Sequence, residues 1–365
     1  MSAVSPEGRY TFVFRSVAKP EIVKQAGGQV HHVGKYSSTV TASFKSPKNA
    51  FKLKKDPDLI SIQEDRLLRL PFFKIEKVFS ASRRINDKRA VNSQVLTWNV
   101  ARVLGKRRLN NGTGVRVGVI DTGLDFHHPD LVSNIKGGVN VLSPFLPPQD
   151  DNGHGTHIAG IIGALNNHFG VVGIAPKVSL YAIKVLNSAG HGTISNLIKG
   201  IEWAIANRMH ILNISISGGQ TIHPALAQAI AAAVSRGILI VAAAGNNGNA
   251  SGKGDTVSIP ARISPVISVA ALNKLNRRDS YSATGKVDIA APGTGILSTY
   301  FYSRYAVLSG TSIAAAHVTG VLAIYRAAFP RATSAELKAM LYHRAIDLPP
   351  AGRDPLTGVG LVQGL

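Results

Sequence analysis

Five short apolar runs punctuate the last two thirds of the chain: Val115 to Ile120, Leu180 to Leu186, Ile211 to Ile216, Ile238 to Ala243 and Val266 to Ala271. Each run is continuous rather than alternating and is bounded by glycine or polar residues. That is the pattern of a strand buried on both faces of a parallel sheet. Helical stretches fall between or after them, at Ile194 to Asn207, Pro224 to Arg236 and Ser312 to Phe329. The alternation predicts an α/β fold, a parallel sheet with helices on both faces. Ligands of such sheets gather at the carboxyl ends of the strands, where Asp121 and Asn246 fall.

A different rhythm precedes this. Tyr10 to Phe14, Gln29 to Val33, Thr39 to Phe44 and Leu59 to Gln63 read as strands. Pro20 to Ala26, closed by Gly27-Gly28, and Pro47 to Lys54 read as helices. The order βαββαβ predicts a small α+β, ferredoxin-like unit over residues 1–66. Residues 67–92 carry Arg83-Arg84 and Lys88-Arg89 among small and polar residues and read as an exposed linker open to proteolysis. Residues 93–365 form the large domain.

The chain of 365 residues is 45% hydrophobic, ample for a sizeable core, and no apolar run is long enough to span a bilayer. There is no cysteine, hence no disulfide framework or thiolate metal site. The net charge is +21, of which residues 1–92 carry +10. Such a surface attracts polyanions. However, no basic helix with base-reading residues and no aromatic stacking motif accompanies the charge, so no specific nucleic-acid role is expected. Met1 to Gly8 lacks the charged and apolar regions of a secretory signal.

Three segments carry candidate chemistry: Val119-Ile120-Asp121-Thr122-Gly123, Gly153-His154-Gly155-Thr156-His157 and Ser309-Gly310-Thr311-Ser312. A serine hydroxyl needs an imidazole to take its proton and an acid to hold that imidazole in the right tautomer. Asp121, His154 and Ser312 supply one candidate for each task. His154 and His157 could instead share a helix face as a metal pair, but an intervening Glu and a third ligand are missing. Asn246-Asn247-Gly248 follows the run ending at Ala244-Gly245.

Taken together and in this order, the motifs resemble those of subtilisin-like serine proteases from about Gln94 to the C-terminus. The resemblance implies a serine endopeptidase acting on protein and peptide substrates, with acyl transfer to an amine as the alternative on the same site. It assigns Ser312 as nucleophile, His154 as general base, Asp121 as its orienting acid and Asn246 as side-chain oxyanion donor; His157 and His317 become structural. Substrate edges fall on Gly190, His191 and Gly192 and on Ser215, Ile216, Ser217 and Gly218, with Asn152 on the leaving-group side. Ser217 and Ser258 stand where relatives often have glycine, which narrows or polarises the primary pocket. The loop Leu165 to Val171 offers carbonyl oxygens of the kind calcium takes, about six to eight at a time. The resemblance implies a Ca2+ site of the Gln94 and Asn167 side chains, the Asp130 carboxylate and the carbonyls of Leu165, Phe169 and Val171. It also makes residues 1–66 a pro-domain that templates folding and inhibits the enzyme intramolecularly. The cut is expected near Asn92-Ser93, with Lys88-Arg89 competing. An extracellular, monomeric enzyme is expected, with a cytoplasmic location as the alternative.

Overall fold

The computed structural model describes residues 8–79, 94–105 and 111–365. The expected cuts at Lys88-Arg89 and Asn92-Ser93 lie outside the described residues, as do residues 1–7. The chain opens with β1 (Arg9–Phe14), α1 (Pro20–Gln25), β2 (Gln29–Gly34), β3 (Thr39–Ser43), α2 (Pro47–Lys52) and β4 (Leu59–Glu64). Both helices begin on a proline, whose fixed φ suits the first helical turn. The strands form an antiparallel sheet in the order β2-β3-β1-β4. One face of it buries Phe12, Phe14 and Val40 with Val23 and Ala50 of the helices, the unit's own small core.

Residues 67–79, expected to open an exposed linker, fold into two strands. They hold β5 (Leu67–Arg69) and β6 (Lys74–Phe79). β6 mixes lysine and glutamate with Ile75, Val78 and Phe79 and lies almost wholly exposed at the edge of its sheet, so its composition resembles a solvated linker.

The large unit comprises α3 (Trp98–Leu104), β7 (Arg116–Asp121), β8 (Ile135–Asn140), α4 (His154–Gly163), β9 (Ser179–Lys184), β10 (His191–Thr193), α5 (Ile194–Ala206), β11 (Ile211–Ile214), α6 (Pro224–Val234), β12 (Leu239–Ala243), β13 (Ile267–Leu272), β14 (Ile289–Pro292), β15 (Ile296–Tyr300), β16 (Arg304–Ser309), α7 (Thr311–Ala328) and α8 (Ser334–His343). Seven strands make one parallel sheet in the order β14-β13-β12-β11-β7-β9-β8. One face packs on α4 and α7, burying Val117, Val119, Ile158, Ile162, Val318 and Leu322 together. The other packs on α5 and α6, burying Ile120, Ile183, Leu212, Ile198, Ile201 and Ile230. Each such side chain contributes roughly 1.5–3 kcal/mol by leaving water. Fifteen of the 18 residues of α7 are buried, so this helix runs through the core and holds its first turn rigidly at the sheet's rim. Among the described residues no helix is long and apolar enough to cross a membrane.

Candidate active site

Asp121 ends β7 and is fully buried. A carboxylate there is costly unless hydrogen bonded. Its Oδ1 and Oδ2 lie 2.9 and 3.0 Å from His154 Nδ1, and Thr122 N donates to Oδ1 at 2.8 Å. His154 is the first residue of α4. The helix starts from Gly153 at φ +103, a left-handed conformation that glycine adopts without strain. Ser312 stands one residue inside α7, where unpaired backbone N–H groups and the helix dipole place positive potential. His154 Nε2 and Ser312 Oγ are both buried without a hydrogen-bond partner. The Phe73 ring covers the imidazole at 4.8 Å between centroids.

Asn246 lies three residues beyond β12. Its Oδ1 accepts from Thr311 N at 2.9 Å and Thr311 Oγ1 at 2.7 Å, which fixes the amide. Its Nδ2 donates to the carbonyl of Phe72. The two assigned substrate edges carry the chain's own segment. β5 pairs antiparallel with β10, setting His191 opposite Arg69 and Gly192 opposite Leu68. Leu70 N donates to Gly190 O at 2.9 Å. Arg69 and Ser217 exchange backbone hydrogen bonds at 3.1 and 2.8 Å. Ser215 and Ile216 lie buried behind this edge. A Cβ on Gly218 would run into Leu68 Cδ2, so the glycine makes room for that leucine. On the far side β6 pairs with β16, Lys74 opposite Ser309, and Ser309 Oγ donates to Glu76 at 2.5 Å. Asn152 donates from Nδ2 to Ser188 O at 2.9 Å and accepts from His154 N at 3.2 Å. It also lines a cavity with Pro71 and Phe73.

Two residues escaped the reading of the sequence. Asp150, buried, accepts five hydrogen bonds: Thr122 Oγ1, Asn152 N and Gly153 N on Oδ1, and Thr156 N and Oγ1 on Oδ2, at 2.6–3.0 Å. It ties the segment of Asp121 to the first turn of α4. Lys184, beside Asp121 in the sheet, buries its Nζ against Thr122 O and Asp151 Oδ1, both at 2.6 Å. An Asp before Asp-Asn-Gly signals a turn in sequence. Only the fold reveals what that turn joins.

His157 and His317 do not compete for chemistry. His157 Nε2 donates to Ile296 O and Ala306 O at 3.1 Å, and burial pushes its pKa down to about 3. His317 accepts from Asn99 Nδ2 at 2.8 Å and donates from Nδ1 to Ile313 O; burial takes it down to about 4.

The residues expected to hold calcium come together. Gln94 Nε2 lies 2.5 Å from Leu165 O, 3.1 Å from Val171 O and 3.3 Å from both Phe169 O and Asn167 Oδ1. Asp130 accepts from Asn167 Nδ2, Val171 N and Tyr305 Oη at 2.8–3.0 Å, and burial raises its pKa. Gly170, at φ +61, lets the loop close over that carboxylate. Among the described residues no three His, Cys, Asp or Glu side chains cluster as a metal site. The convergence here is of carbonyl and amide oxygens with one carboxylate, a donor set for a hard cation such as calcium.

Comparison with known proteins agrees with the geometry. The model of the subtilase family matches residues 112–360. Subtilisin E of Bacillus subtilis (strain 168) is 39% identical over 351 residues, covering 95% of this chain and 85% of that protein. Minor extracellular protease Epr of the same organism is 36% identical over 98% of this chain and 54% of that protein. Subtilisin Savinase of Lederbergia lenta is 42% identical over 74% of this chain and 97% of that protein. The chain therefore belongs to the subtilase family and is a serine-type endopeptidase that acts on proteins.

Proposed function

We propose that this endopeptidase works through Ser312, His154, Asp121 and Asn246 and is made as a zymogen held shut by its own N-terminal region. Ser312 Oγ attacks the scissile carbonyl while His154 Nε2 takes its proton. Asp121 holds Nδ1–H toward itself and stabilises the imidazolium. The Asn246 amide and the Ser312 N–H receive the oxyanion. His154 then protonates the leaving amine, and water releases the acyl group. Substrate lies extended along Gly190–Gly192 and Ser215–Gly218, adding as a strand, with Asn152 beside the leaving group.

One observation carries the zymogen reading. The Phe72 carbonyl accepts a hydrogen bond from Asn246, while the residues on either side of it pair with the walls of the cleft. The segment runs along the edges proposed for substrate, and with it in place His154 and Ser312 are fully buried. The Phe72 side chain is 82% exposed, so the residue presenting its carbonyl fills no pocket. Pro71 before it has no N–H to give an edge strand. This fit supports slow turnover of the segment, and we place a first self-cleavage at Phe72–Phe73, ahead of the cut expected near Asn92-Ser93. Intact-mass spectrometry of the purified chain over time tests this. A new N-terminus at Phe73 in the wild type, absent from Ser312→Ala, is expected. A stable wild-type chain, or equal cleavage in both, overturns it.

Calcium is the second element. Gln94, Asp130, Leu165, Asn167, Phe169 and Val171 would hold it, with the Gln94 amide turned so that Oε1 faces the ion. Amide oxygen and nitrogen exchange places by such a flip. Bound there, the ion supplies a cross-link between residue 94 and the 165–171 loop. The name of the Epr relative supports an enzyme that works outside the cell.

A further inference from the structure

The rim of the sheet opposite Asp121 and Asn246 holds a second cavity, of about 530 Å3. Its floor is the amino-terminal edge of three neighbouring strands: Arg116 opens β7, His210 precedes β11, and Gly237 precedes β12. Its outer wall is Tyr36, from the β2–β3 turn of the N-terminal unit. Arg116, Arg208 and Arg236 all line it, and no carboxylate does. Among the described residues none of the three guanidiniums forms an ion pair. Two of the three are held in place nonetheless. Arg116 Nε donates to Arg208 O at 2.9 Å, and Arg236 donates to Ala232 O at 2.8 Å while lying over the Tyr36 ring at 5.0 Å. His210 Nδ1 accepts from Arg116 N at 3.0 Å, which leaves its Nε2–H as a further donor. Glu202, the acid bonded to this turn, is committed to Tyr36 N and Ser37 N at 2.8–3.2 Å.

Three uncompensated guanidiniums around one volume repel one another, and a compact polyvalent anion removes that repulsion. We propose that this cavity is a binding site for a small phosphate anion, shared by the two units and complete only while the N-terminal unit is docked. An anion bound there ties Tyr36 and Arg236 to the sheet edge and stabilises the uncleaved form. A long phosphodiester strand does not suit a pocket closed on one side by Tyr36.

The test uses the full chain with Ser312→Ala, so that its outcome is independent of catalysis. Orthophosphate and pyrophosphate are titrated by calorimetry against chloride at constant ionic strength, with a 20-nucleotide single strand as a separate arm. Saturable one-site binding of pyrophosphate is expected, weakened about tenfold or more in Arg236→Gln and in Arg208→Asn. Asparagine is chosen because residue 208 sits at φ +54, which it tolerates. Tyr36→Ala should weaken binding while leaving every charge in place. Arg277→Gln, on an exposed loop elsewhere, should not. The absence of saturable pyrophosphate binding, tighter binding of the oligonucleotide, or equal losses from Arg277→Gln and Arg236→Gln would overturn the proposal.

Discussion

At the scale of single residues the account makes unequal demands on the groups around Ser312. Asn246 is held by two hydrogen bonds from Thr311, so its amide is preorganised and pays no reorganisation during the reaction. Asn246→Ala should lower kcat by about 10²–10³, a range established on subtilisin and carried over to this chain. KM should change little. Asp150 touches no reacting atom and acts through position alone. Asp150→Asn replaces one acceptor oxygen with a donor that faces donors. An unpaired buried donor costs about 1–3 kcal/mol of stability, and the displaced Thr122 and first turn of α4 should lower kcat about tenfold while KM stays within about twofold. A KM effect with kcat intact would place Asp150 in substrate binding instead.

At the scale of elements, α4 and α7 each carry a buried neutral histidine behind the site. An unfolded imidazole titrates near about 6.5. His157 and His317 are held to about 3 and about 4, so below pH 6.5 the unfolded chain binds protons that the folded chain refuses. Their contribution is full above about pH 6.5 and is lost as pH falls toward the folded values, by at most about 1.4 kcal/mol per pH unit for each group. Denaturant unfolding of the Ser312→Ala chain at pH 7 and pH 5 should show this loss, and His317→Gln should make the slope shallower by up to one proton. An unchanged slope would contradict the assignment. The same elements show what was legible beforehand. The five apolar runs and the long helix after Ser312 were visible because continuous burial leaves a continuous apolar pattern. β8, with Lys136-Gly137-Gly138, leaves none, and the apolar run of β14 is only four residues long. β6 was hidden for another reason: its partner β16 lies more than two hundred residues away, and charged residues on an exposed edge look like a linker.

At the scale of the whole molecule the pairing of Asp121 with His154 was legible in two motifs, but the occupant of the cleft was not. No local pattern says that Leu67 to Phe79 lies across Asn246 and His154; that follows from docking one unit on another. The loop proposed to hold calcium belongs to this scale as well, since it joins the start of the large unit to the helix layer. Removing bound metal should lower the melting temperature. With a strong chelator a fall of a few degrees is expected, each kcal/mol being worth about 1–2 °C in a chain of this size. An unchanged melting point, with no calcium by elemental analysis, would show the loop to be closed by the Gln94 amide alone.

The central claim is that one serine, in one pocket, does the chemistry. Treating the active enzyme with a serine-directed phosphonylating reagent and mapping the adduct by peptide mass spectrometry tests it most directly. The account predicts one adduct per chain, on Ser312, formed in step with the loss of peptidase activity. Activity lost with Ser312 unmodified, or retained with Ser312 fully modified, would contradict it.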